Sequence, residues 1–241
     1  DVITSRANAK VKAAFALKGK GGEAFLVEGF HLVEMAYGHG CLEEVFALEE
    51  PSFRFDNVHI VTPEIIDKLA SSSHPEPIVG IAKKPGSAAL SKRKAVVFDR
   101  IQDPGNVGTL LRSALAFGFE DAVFLPGTCS PYNIKAIQAS QGAIFGINMV
   151  FPSSVEEGFG LLKDNGYRII GTALSDKSMK AEGYAYPPTF ALVLGNEGQG
   201  MGEYALSHCD DLLKISMRGI DSLNVGVAGS ILMSDSYRQG K

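Results

Sequence analysis

The chain has 241 residues, 45% hydrophobic and 21% charged, with a formal net charge of −4. That mixture supports one large globular domain or two ordinary ones and excludes a disordered or collagen-like chain. No apolar run approaches the roughly 18 residues needed to cross a membrane, and the opening "DVITSRANAKVKAAF" lacks the apolar core of a signal peptide. Cys41, Cys129 and Cys209 lie far apart with no CxxC pair. They read as buried, inert thiols in a reducing, cytoplasmic compartment, not as a disulfide framework or a zinc site.

In chain order, "VKAAFALKGKG" has helical character and "AFLVEG" reads as a strand. "FHLVEMAYGHG" is a helix closed by glycine, "EVFALEE" and "HIVTP" are strands, "PEIIDKLA" is a helix with Pro in its first turn, and "IVGIAKK" is a strand. "KKPGSAALSKRK" (83–94) has the Pro, Gly, Ser and charge of a linker, with little to bury. The alternation then restarts. "AVVFDRI", "DAVFL", "INMVFP", "YRIIGTAL", "FALVLGNE" and "DLLKISM" are strands. "GTLLRSALAFG", "NIKAIQASQGA", "VEEGFGLLKDNG" and "LNVGVAGSILMSDSYR" are helices. Strands apolar on both faces predict a mostly parallel sheet covered by helices, with ligands at the carboxyl ends of its strands. The expected organisation is a small α/β domain over 1–85, a linker over 86–94 and a larger α/β domain over 95–241.

The acidic total hides two basic stretches. Five bases and no acid lie between Arg6 and Lys20, and again between Lys83 and Lys94. Such stretches are either solvated faces or nucleic-acid contacts, since a surface field acts over about 8–10 Å. GxGxxG, GxxxxGK[ST] and GxSxG are all missing, and the five histidines have no metal-ligand spacing. No metal site is expected.

Three stretches at strand ends carry chemistry. In "FDRIQDPGNVGTLLRSALAFG" (98–118), Asn106 reads as a helix N-cap or a ligand-facing amide. Arg112 lies in a largely apolar run, where an unpaired guanidinium would be costly if buried. "LGNEGQGM" (194–201) joins glycines that let the backbone approach a ligand to Glu197, a carboxylate that disfavours phosphate but not a cationic or hydroxyl-rich ligand. "ISMRGIDSLNVGVAGSILM" (215–233) places Asp221, Ser222 and Asn224 at a helix start, more polar groups than capping requires.

Together and in order, "DPGNVGTLLRSA", "LGNEGQGM" and "SLNVGVA" resemble the three motifs of the SpoU (TrmH-like) branch of the SPOUT RNA ribose 2′-O-methyltransferases. "SRANAKVKAAFAL…FLVEGFHLVEMA" resembles that family's substrate-binding domain, itself similar to an RNA-binding ribosomal protein. The resemblance implies a trefoil-knot α/β catalytic domain, S-adenosylmethionine as cofactor and a homodimer joined through that domain. RNA is the implied partner, large-subunit rRNA ahead of tRNA. By the same resemblance Asn106, Arg112, Ser222 and Asn224 are catalytic. Leu194, Gly195, Glu197, Gly200, Ile215, Met217 and Leu223 hold the cofactor, and Arg6, Asn8, Lys10 and Lys12 meet RNA. A tRNA enzyme, or an RNA-binding assembly factor without catalysis, are the rival readings. Gly226 stands where the family has Ser, Ala9 and Ser216 where it has Pro, and Gly21 or Gly22 where it has Arg. The small residues Gly226, Gly229 and Ser230 suit helix packing, within the chain or between two copies.

Overall fold

The structure, a computed structural model, describes residues 2–18 and 22–240. Lys20 and Gly21, which belong to the first basic stretch and to the family comparison there, lie outside them. Two sheets organise the chain. The first contains β1 (Ala24–Glu28), β2 (Leu42–Ala47), β3 (Val58–Ile60) and β4 (Ile78–Lys83) in the order β1-β4-β2-β3. β4 runs antiparallel to β1 and β2, while β2 and β3 are parallel.

Side chains alternate across this sheet. Leu26, Phe46, Val79 and Ile81 pack against α1 (Ala9–Ala16) and α3 (Pro63–Leu69) through Val11, Ala14, Ile65, Ile66 and Leu69. Phe25, Val27, Val45 and Ile78 face the other way, against α2 (Phe30–Gly38). That second face joins the rest of the molecule. The Phe25 ring centroid lies 5.1 Å from Tyr132 and 5.9 Å from Phe145. His31 Nε2 is 3.0 Å from the Gln141 carbonyl oxygen, and the Lys84 ammonium sits 4.7 Å from the Tyr132 ring centre. Burial, with help from Cys41 and Glu23, pushes the Tyr132 hydroxyl up to about 12.

The second sheet has seven strands, each pairing parallel. They are β5 (Lys94–Asp99), β6 (Asp121–Phe124), β7 (Asn148–Val150), β8 (Arg168–Thr172), β9 (Met179–Lys180), β10 (Phe190–Gly195) and β11 (Asp211–Lys214), ordered β7-β6-β5-β10-β8-β11-β9. Val96, Phe98, Leu192 and Leu194 point toward α4 (Pro104–Ala116), α5 (Ile134–Ser140), α6 (Ala143–Gly146) and α9 (Val225–Gln239). Ala95, Val97, Ala191 and Val193 point toward α7 (Val155–Asp164) and α8 (Glu203–His208). Burial on both faces explains the unbroken apolar runs. From β5 the chain winds toward β7, and from β10 it winds the opposite way, so the topological switch lies between these two central strands. Their registers end level, with Gly195 opposite Asp99.

Several expectations need correction. The helix expected over 133–143 breaks at Gln141 (φ 49°), and Gly142 (φ 86°) lets Met35 of the first sheet's α2 press against its backbone. β9 and α8, two and six residues long, carry too little periodicity to be read. The stretch 84–93 lacks regular structure but is tied down. Buried Asp121 accepts from the Ser91 backbone N–H at 3.0 Å, the Ser91 hydroxyl at 2.6 Å and the Tyr167 hydroxyl at 2.9 Å. The segment lies as a strap against the second sheet.

Candidate cofactor and active site

All three motif loops leave the carboxyl ends of strands. The first follows β5. Asp103, not Asn106, caps α4: its Oδ1 accepts from the N–H of Gly105 at 2.6 Å and of Asn106 at 3.2 Å. Pro104 takes the first helical position, where its missing N–H costs nothing. Asn106 therefore falls in the first turn with its side chain free to reach outward. Gly108 seats α4 on α5, since a Cβ there would stand 2.5 Å from the Ala136 oxygen and 2.8 Å from the Ser140 nitrogen.

The second loop follows β10 and folds back on itself. The backbones of Asn196 and Gly200 exchange hydrogen bonds of 3.0 and 2.9 Å. A Cβ on Gly195 would overlap the backbone of Gly200 and Met201, so only glycine closes this turn. Glu197 has an unexpected occupation. One carboxylate oxygen accepts from Asp103 N and Asn106 Nδ2 and the other from Gln102 N, each at 3.1 Å. Burial raises its pKa, but the Asn106 amide and the backbone N–H groups outweigh that and hold it below the ordinary glutamate value. The acid inside the glycine loop thus anchors the first motif to the second.

The third loop follows β11 and leads into α9. Asn224 caps α9, accepting from Val227 N at 3.2 Å, and its Nδ2 donates to Asn106 Oδ1 at 3.0 Å. A chain of side chains, Glu197–Asn106–Asn224, therefore ties the three motifs together. Asp221 and Ser222 precede the helix and are exposed.

Beside this chain lies a cavity of about 840 Å³ at the carboxyl ends of β8, β10 and β11. Leu194, Gly195, Glu197, Gly200, Ile215, Met217 and Leu223, the seven residues expected to hold a cofactor, all line it, as do Ser222 and Asn224. One wall is apolar, with Leu213, Val225 and Leu232 added. Thr172, Ser175, Asn196 and Gln199 bring hydroxyls and amides, and Lys177 a cation. The Thr172–Lys177 segment was missed in the sequence although it spans the carboxyl end of the expected strand "YRIIGTAL" and the loop after it, where a search of strand carboxyl ends would have found it.

Asn106 and Arg112 do not line the cavity. Asn106 reaches it through Asn224. Arg112 is exposed on α4, six residues and so about 9 Å further along the helix axis; the expected cost of burying it does not arise. Arg6, Asn8, Lys10 and Lys12 lie in or just before α1, on the sheet face away from the cavity-bearing half. Asn8 caps α1 through Lys10 N at 2.9 Å, Lys10 Nζ approaches His59 at 3.2 Å, and Arg6 Nε donates to the Glu64 carbonyl at 3.2 Å. Gly226 and Gly229 are buried inside the chain. A Cβ on Gly229 would stand 2.7 Å from Leu194, and Ser230 and Ser113 hydroxyls meet at 2.7 Å. The small-residue face is used by α4 and β10.

Of the three thiols expected to be buried, Cys41 is, while Cys129 and Cys209 are half-buried. Burial first, then nearby Glu197 and Asp103, pushes Cys129 up to about 11, and burial with Asp210 and Asp99 takes Cys209 to about 12. Among the described residues no group of three or more His, Cys, Asp or Glu side chains could hold a metal ion, and no helix is long and apolar enough to cross a membrane.

An apolar and hydroxyl-lined cavity at the carboxyl ends of parallel strands, beside the sheet's switch point and next to three interlocked loops, defines an α/β enzyme domain for a small organic ligand. The SpoU rRNA Methylase family matches residues 93–234. The 23S rRNA (guanosine(2553)-2'-O)-methyltransferase RlmP of Bacillus subtilis (strain 168) is 33% identical over 219 residues, covering 87% of this chain and 86% of its own. The AdoMet-bound rRNA methyltransferase from Sinorhizobium meliloti superposes with a TM-score of 0.88 at 25% identity, over 99% of this chain and 97% of that one. A second structure, an RNA 2'-O ribose methyltransferase, gives 0.84 at 25% identity over 100% and 99%. The chain belongs to the SpoU rRNA methylase family, and its α/β fold is the fold of these methyltransferases.

Proposed function

We propose that the chain transfers a methyl group from S-adenosylmethionine to a ribose 2′-hydroxyl of RNA, with large-subunit rRNA as substrate. The observation that carries this reading is the convergence of the seven expected cofactor residues on one cavity beside the Glu197–Asn106–Asn224 chain. The residues present fit that cofactor. The apolar wall suits adenine, the hydroxyls and amides suit a ribose and an amino-acid tail, and about 840 Å³ accommodates a ligand of this size. When bound, the cofactor supplies a methyl group already activated by its sulfonium charge.

What remains for the protein is alignment and assistance to proton loss. Asn224 and Ser222, on the cavity wall, orient the ribose, and Asn106 holds Asn224 in place. A guanidinium is a poor general base, so the role of Arg112 is electrostatic: it favours loss of the 2′-hydroxyl proton, which passes to an RNA phosphate oxygen as the oxygen–methyl bond forms and the sulfonium–methyl bond breaks. Residues 1–85 serve as the RNA-binding unit, with Arg6, Lys10 and Lys12 toward phosphates, and the strap 86–94 connects them to the catalytic unit 95–241. rRNA is favoured because the Bacillus relative, named for 23S rRNA, matches across both sheets.

The same reading makes the chain a homodimer through the catalytic unit. Val227 and Ile231, 49% and 37% exposed and four residues apart on α9, form an apolar strip beside the α4–α9 seam, and a second copy there would shield it from water.

The test is methyl transfer from labelled S-adenosylmethionine to unmodified total RNA, followed by separation of large rRNA, small rRNA and tRNA. Alkali-resistant label in large rRNA is the expected result. Label in tRNA alone would reassign the substrate, and no label together with no cofactor binding would leave a non-catalytic RNA-binding protein.

A further inference from the structure

The Glu197 contact has a counterpart running the other way. Arg100, the residue after β5, sends its side chain across the switch point into the second loop. Its Nη1 donates to Gln199 Oε1 at 3.4 Å and its Nη2 to the Gly200 carbonyl at 3.3 Å. Its Nε pairs at 3.2 Å with Asp99 Oδ1, and the other oxygen of that carboxylate accepts from Gly202 N at 2.6 Å. The Arg100 carbonyl oxygen accepts from Asn196 Nδ2 at 2.8 Å, while Asn196 Oδ1 accepts from Gly198 N at 2.9 Å and Gln199 N at 3.0 Å. Arg100 and the Asp99 it pairs with thus reach 196, 199 and 200, which wall the cavity, and 202 beside them.

Backbone and burial point the same way. Arg100 has φ 58°, a left-handed conformation uncommon for a residue with a side chain, which persists only where surroundings over-determine it. Asp99 is 1% exposed, and a carboxylate buried so fully needs paired donors. A glycine would suit the backbone here better than arginine, yet arginine is present, and its guanidinium is occupied by the loop.

We propose that Arg100 is a positioning residue for the cofactor: it sets the conformation of the 196–202 loop and thereby the affinity for S-adenosylmethionine, acting through Gly200, Gln199 and Asp99 without touching RNA. This inference rests on the reading of the cavity as the S-adenosylmethionine site. Arg100 and Glu197 act in opposite directions, the one fixing the cofactor loop from β5 and the other fixing the start of α4 from the cofactor loop.

The experiment is calorimetric titration of S-adenosylmethionine into the wild type, Arg100→Gly, Arg100→Ala and Arg100→Lys, with steady-state methylation kinetics on the RNA the wild type accepts. Arg100→Gly is the informative variant, because it relieves the backbone while deleting the guanidinium. The expected result is a cofactor Kd raised at least about tenfold in both Gly and Ala, partly restored in Lys, with KM for RNA within about twofold of wild type. Arg100→Gly that binds cofactor as the wild type does would overturn the proposal, as would an equal rise in the RNA KM. A wild type that binds no S-adenosylmethionine would instead remove the reading beneath it, and the two failures are therefore distinct.

Discussion

At the scale of single residues, the motif glycines and polar groups differ in what they tolerate. Gly108 lies where α4 crosses α5, with the backbone of Ala136 and Ser140 in the space a Cβ would need. Backbone yields less readily than a flexible side chain, so Gly108→Ala should destabilise the protein by about 1–3 kcal/mol, read as a lower urea midpoint. An unchanged midpoint would mean the two helices separate freely. Arg112 predicts the opposite pattern: exposed, it should leave stability unchanged when replaced. If its role is electrostatic, Arg112→Lys retains measurable methyl transfer and Arg112→Ala retains little. Equal loss in both would favour a geometric role for the guanidinium fork. Asn106 shows what sequence could and could not give at this scale. Its importance is visible in the motif, but its partners, Glu197 and Asn224, lie 91 and 118 residues away. Its expected role as a cap was lost to Asp103 because Pro104 suits the first helical position better.

At the scale of elements, the three motif loops form one unit held by a carboxylate. Glu197 has a folded pKa below its ordinary value, so its contribution is fully present above the usual glutamate range and disappears as pH falls through and below that range. Asp211 shares the sign, held down first by hydrogen bonds from Arg168, at 2.5 and 3.0 Å, against the effect of burial. Acidification below about pH 4 should therefore loosen the 196–202 loop and the start of α4 before the sheet unfolds. Amide hydrogen exchange would show this as early loss of protection at Gln102 and Asp103, whose N–H groups Glu197 accepts. In Glu197→Gln the same amides should be poorly protected already at neutral pH, with little further pH dependence. Long apolar strands and helices with Pro or Gly at their ends were legible in the sequence. β9 and α8 were not, being too short to show a period, and the break at Gln141–Gly142 was hidden because its cause, Met35, belongs to the other sheet.

At the scale of the whole molecule, the sequence suggests two units and a linker, whereas the structure shows how firmly they are joined. The strap is held by Asp121, and Phe25, Tyr132 and Phe145 form an aromatic contact across the boundary. Phe145 is 6% exposed, and its truncation to alanine should cost about 3–5 kcal/mol. Because both sheets contribute to that contact, calorimetry of the wild type should show one cooperative transition, and Phe145→Ala should lower it as a whole. Two resolved transitions in the wild type would show that the sheets unfold independently. No sequence period encodes such a boundary, since the partners are set by how two finished sheets meet.

The hydrogen bonds from Gln102 and Asp103 to Glu197 span 95 and 94 residues, and that between Asn106 and Asn224 spans 118. Closing loops of that length costs little more free energy than closing shorter ones, but contacts so distant in sequence form slowly. On a growing polypeptide the first motif would emerge long before its partners and wait, unanchored, until Glu197 and then Asn224 have been made. The lining of the cavity is thus complete only once α9, with Val225, Ala228 and Leu232, has been made. A nascent chain halted before α9 should bind no ligand, however well its first sheet has formed.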